Sequence, residues 1–128
     1  MKQDFERPFR PTETAGSNVT SFSLLEIAGQ LMKEDVINHS GKNSLTLARG
    51  NDLTVVLLVL KDQAVLHEHS APGPISVTVL SGHIEFSTKP ESFSLRTGDN
   101  TVCAAHLPHS VKAQEDSAFL LVIGGRVD

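Results

Sequence analysis

The chain has 128 residues and a formal net charge of −4, enough for one domain and without the clustered basic surface that nucleic acid or an anionic membrane would require. Cys103 is the sole cysteine, which excludes an internal disulfide and a cysteine-built zinc site and points to the reducing cytosol. Trp and Tyr are absent, so there is no stacking platform for single strands, and the longest apolar run, Val55 to Leu60, is too short to cross a bilayer.

Residues 1–20 are polar and contain Pro8, Pro11 and Gly16. They read as an extended N-terminal arm that orders against a partner, and MKQDFERPFRP lacks the apolar core of a signal peptide. Residues 21–128 read as a single domain. A helix is expected over 23–34: Ser23 and Glu26 have capping-box spacing, Phe22 and Ile27 can staple its start, and Leu24, Ile27, Ala28 and Leu31 share one face. HSGKN at 39–43 reads as a turn.

From residue 44 to about 124 the period changes to that of short strands. The runs are Ser44–Arg49, Leu53–Lys61, Ala64–His69, Ile75–Leu80, His83–Ser87, Ser92–Leu95, Thr101–Ala104, Ser110–Ala113 and Ala118–Ile123. Turn residues separate them, which predicts an antiparallel sandwich or barrel. Val55–Leu60 is apolar on both faces; one face is expected in the core and the other against a second sheet or a second subunit.

Alternation puts His67 and His69 on one face of their strand, together with Val65. Buried imidazoles need partners for their ring nitrogens, and a metal ion satisfies them well. A third histidine, His109, closes the segment HLPH. HEH at 67–69 followed by GPISVTVLSG at 73–82 resembles the first motif of the cupin superfamily, and Gly98-DNTVC-AAH-LP-His109 resembles the second without gaps. The resemblance, to the small single-domain bacterial cupins, spans about residues 62–113. It implies an all-β fold: a double-stranded β-helix, or jelly-roll, barrel preceded by one short helix. It also implies one divalent metal ion near a barrel mouth, bound by His67, His69 and His109. The imidazole set suits Zn, Ni, Fe or Mn and does not choose among them.

The chain departs from the family at three places. The usual glutamate ligand falls on Ile75, the usual Pro and Gly of the second motif are Ala104 and His106, and the final Asn is Ala113. What remains is a three-histidine site without a carboxylate. His106 is a further ligand, a hydrogen-bond partner of a ligand, or a loop residue at the mouth. Ile75, Val77 and Phe86, with Val102 and Leu107, are expected to wall an apolar pocket, and Cys103 reads as a buried thiol. Three functions stay open: a metal-dependent enzyme of dioxygenase or isomerase type acting on a small apolar or aromatic molecule, a non-catalytic metal or small-ligand sensor, and a structural dimer with an empty site. A homodimer is expected in each case.

Overall fold

The computed structural model describes residues 12–13 and 19–125. In chain order the elements are β1 (Thr12–Glu13), α1 (Leu24–Lys33), α2 (Val36–Ser40), β2 (Lys42–Arg49), β3 (Leu53–Leu60), β4 (Val65–His69), β5 (Ile75–Ser81), β6 (His83–Ser87), β7 (Ser92–Arg96), β8 (Asn100–Cys103), β9 (His109–Ala113) and β10 (Ser117–Gly124). They form a six-stranded sheet, β1-β2-β3-β10-β5-β8, and a four-stranded sheet, β4-β9-β6-β7. Every pairing is antiparallel except β1 with β2. This is the expected jelly roll. The predicted arm falls mostly outside the described residues, but Thr12 and Glu13 pair in parallel with Ala48 and Arg49 of the same chain.

Two apolar layers hold the molecule together. Leu60, Ile75, Val77, Val79 and Phe119 of the large sheet meet Ile84, Phe86, Leu95, Val111 and Ala113 of the small one. On the opposite face of the large sheet, Leu45, Leu47, Leu57, Val59 and Ala118 pack under Ile27, Ala28 and Leu31 of α1 and Ile37 of α2. The helix therefore covers Leu57 and Val59 on the second apolar face of β3, a covering not expected from sequence. The outer face of the small sheet is polar, with Glu85 opposite Lys112 and His83 Nε2 2.6 Å from Ser94 Oγ.

Three local readings need correction. Ser23 stands at the N-cap of α1, but its side chain makes no capping hydrogen bond, so no capping box forms. The turn expected at 39–43 starts inside α2, a second helix that buries Ile37 and ends at Gly41 with φ 77°. Five residues with one buried side chain carry no readable helical period. In β4, Val65 and Leu66 oppose Lys112 and Val111, yet His69 opposes His109, so one extra residue is inserted between Leu66 and His69. This bulge breaks the alternation: Leu66 packs on the core, and Val65 does not share a face with His69 as predicted.

Gly82 closes the β5–β6 hairpin at φ 96°, and a Cβ there would overlap Ser117 Oγ and the Asp116 carbonyl. Ser117 is buried and knits this end of the barrel. Its hydroxyl accepts from His83 N–H at 2.9 Å and lies 2.7 Å from the Glu115 carbonyl. The site lies at the other end, where β4 stops and β9 begins.

Candidate metal centre at the barrel mouth

His69 and His109 are direct cross-strand partners, and their rings meet edge to face with centroids 4.5 Å apart. His109 is 4% exposed and stacks on Phe86 at 5.2 Å, so one face of its ring is covered by the core. His69 is exposed at the rim.

Each ring is anchored by the carbonyl two residues before it. His69 Nδ1 lies 2.7 Å from the His67 carbonyl oxygen, and His109 Nδ1 lies 2.9 Å from that of Leu107. A carbonyl oxygen only accepts, so both Nδ1 atoms are the donors, and in the neutral ring the lone pair then falls on Nε2. Both rings are thus held in an orientation that leaves Nε2 as the nitrogen a metal ion would take.

The third expected ligand is not gathered with them. His67 lies on the bulge and its ring is exposed; its visible contribution is its carbonyl. Among the described residues no three His, Cys, Asp or Glu side chains are grouped to hold a cation. The donor chemistry of His69 and His109 fits a borderline divalent ion, and the set is two-thirds assembled.

The large sheet supplies the facing wall. Arg49, Thr54, Ile123, Ile75 and Cys103 are successive cross-strand partners along one row of its inner face. Ile75 is 3% exposed and packs in the same core cluster as Val77 and Phe86, and of these three expected wall residues Phe86 stacks on His109. Val102 is corrected: it is 72% exposed, because the register that turns Cys103 inward turns its neighbour out. Leu107 is exposed too and contributes its carbonyl rather than a wall.

Burial pushes the Cys103 thiol above its ordinary pKa, so it stays protonated, as expected of a structural cysteine. Sequence reasoning missed the partly buried Leu58, Leu121 and Ile123 along the inner layer, because β3 and β10 are apolar on both faces. It also missed Thr54, whose buried hydroxyl has no hydrogen-bond partner among the described residues. A separate cavity of about 250 Å³ lies between α1 and the large sheet, lined by Leu25, Met32, Val59, Asp116 and others, and holds no histidine.

Comparisons with known proteins agree with this architecture. No family model matches the chain, and no curated protein matches it. Among solved structures it is similar to a conserved protein of unknown function from Streptococcus pyogenes, with 28% identity over 74% of this chain and 88% of the other, and a TM-score of 0.64. It is similar to KdgF from Halomonas sp. at 27% identity over 74% and 86%, TM-score 0.65. An RmlC-like cupin from Desulfovibrio desulfuricans shares 20% identity over 85% and 99%, TM-score 0.71. The fold and its histidine pair define a cupin barrel. Its fold is that of the cupin-2 and RmlC-like barrel proteins of bacteria among these structures.

Proposed function

We propose that this cupin binds one divalent metal ion at the barrel mouth through His69 and His109, with His67 as third ligand, and takes a small apolar or aromatic molecule beside it. The observation that supports this most is the pair of imidazoles with centroids 4.5 Å apart, each anchored through Nδ1 so that Nε2 is the nitrogen left for a metal ion. Zn, Ni, Fe or Mn suits the donors. Bound there, a dication without a carboxylate ligand would act as a Lewis acid and supply the chemistry of dioxygenase or isomerase reactions. The chain's own part is to fix the two rings, exclude water with Phe86, Ile75 and Val77, and offer an apolar wall to the substrate.

A second reading, a sensor or carrier that binds without turnover, is favoured by one observation. The position of the usual carboxylate is a buried isoleucine, so the site has no general base there. A homodimer belongs to the same proposal. Val55, Val122, Ser76 and Val102 form an uncharged row across the outer face of the large sheet, beside exposed Leu53, and an uncharged face suits a second copy of itself. A cytosolic setting is also proposed, on the strength of a lone cysteine kept as a buried thiol.

The test is metal content of untagged protein, with His69→Ala and His109→Ala alongside. One equivalent in the parent and loss in both variants is expected. A parent that stays empty after reloading with Zn, Ni, Fe and Mn refutes metal binding. Oxygen uptake or isomerisation across a panel of small aromatic acids then separates enzyme from sensor.

A further inference from the structure

We infer that His106 is a working imidazole of this site, a nitrogen donor to the cation at His69 and His109 that stands in for the carboxylate lost at Ile75. The inference rests on the metal-binding reading above. Its starting point is backbone strain. His106 has φ 65°, in the left-handed region that a residue with a Cβ adopts at a cost and that glycine adopts without one. The chain nevertheless places an imidazole there, at the position where the second motif ordinarily has its glycine.

Location separates this residue from ordinary turn strain. His106 sits in the loop between β8 and β9, and its N–H donates to the Ala71 carbonyl at 2.8 Å. That bond ties the loop entering His109 to the loop leaving His69. The next residue, Leu107, holds His109 Nδ1. His106 is therefore fixed by its backbone at the rim of the histidine pair, while its ring is exposed and able to change rotamer on the nanosecond scale. Strained residues that carry chemistry cluster at functional sites because the surrounding structure holds them there.

Gln63 supplies the control. It is the other non-glycine residue with positive φ among those described, at 73°, and it lies in the β3–β4 turn at the opposite end of the barrel. Its N–H donates to Ala113, and its side chain bonds Asp62. Nothing there resembles a site.

The experiment is titration of the metal-free full chain with Ni2+ and Zn2+ by calorimetry, comparing the parent with His106→Gly, His106→Asn and Gln63→Gly, with thermal melts of each metal-free form. Asn tolerates left-handed backbone, so both His106 variants should keep the loop fold. The expected result is metal affinity at least about tenfold weaker in both His106 variants, with melting temperature in His106→Gly equal to or above the parent's. Gln63→Gly should keep the parent affinity. Unchanged affinity in both His106 variants overturns the inference and leaves the metal site standing. Equal weakening in Gln63→Gly overturns it too, by assigning the loss to relief of strain. A parent that binds neither metal removes the inference together with the proposal it rests on.

Discussion

Restoring the missing carboxylate tests the architecture of the site most directly. Ile75→Glu replaces a side chain that is 3% exposed and packed with Phe86 and Val77. Loss of the isoleucine forfeits about 1.5–3 kcal/mol of burial. A carboxylate in that setting has no described partner and resists ionisation, which adds on the order of 1–3 kcal/mol. The metal-free variant should therefore lose about 2.5–6 kcal/mol, a large part of the roughly 5–15 kcal/mol of a typical domain. The sign of its pH dependence follows. A buried glutamate titrates above its unfolded value, so the folded state binds more protons, and stability falls as pH rises from the unfolded carboxylate pKa, about 4.3, toward the raised folded one. A dication next to His69 and His109 reverses this. At a thousandfold excess over Kd it returns about 4 kcal/mol and holds the carboxylate ionised. Urea unfolding in chelator and in Zn2+ or Ni2+, from pH 5 to 8, reads all of this. Equal destabilisation with and without metal, across that range, refutes the placement of Ile75 beside the histidine pair.

Three further outcomes follow from single residues. Thr54→Val removes a hydroxyl that is buried and unpartnered, so the variant should gain about 1 kcal/mol in urea unfolding; a loss would mean that the hydroxyl has a partner such as bound water. Gly82→Ala forces a Cβ against Ser117 and the Asp116 carbonyl at φ 96°, and should destabilise by more than about 3 kcal/mol or abolish soluble expression, whereas a near-neutral result contradicts the hairpin geometry. Cys103 should resist iodoacetamide in the native protein and react once urea unfolds it. Because burial raises its folded pKa, the stability tied to the neutral thiol is complete below the unfolded value of about 8.5 and declines as pH rises from there through the folded one; fast native alkylation refutes its burial.

The barrel was legible because its strands alternate and its turns are punctuated. His83–Ser87 has the same bounds in sequence and structure, the other expected strands differ by a residue or two at one or both ends, and β1 was not expected. What could not be read was what lies opposite a strand. The apolar residues on both faces of β3 announce two coverings without naming them, and one proves to be α1, whose own amphipathic stripe was visible. The site was legible as residue types but only partly as geometry. Pairing of His69 with His109 follows from the two motifs. The bulge that separates His67 does not, since a register shift depends on the partner strand and leaves no mark on the local pattern.

That bulge also changes what a mutation at His67 means. Removing a candidate ligand usually confounds the lost ring with a disturbed neighbour, but here the His69 ring is oriented by the main-chain carbonyl of residue 67, 2.7 Å away, and not by the His67 side chain. His67→Ala keeps that carbonyl. The variant should leave the His69 environment intact, seen as unchanged imidazole resonances of His69 and His109 in the metal-free protein. If its metal affinity falls, the loss belongs to the exposed His67 ring swinging in as a ligand. If affinity is unchanged, the cation is held by His69 and His109 with a donor other than His67. A shift of the His69 resonances in the metal-free variant would contradict the carbonyl anchor itself, and with it the claim that each imidazole is preset by the residue two positions before it.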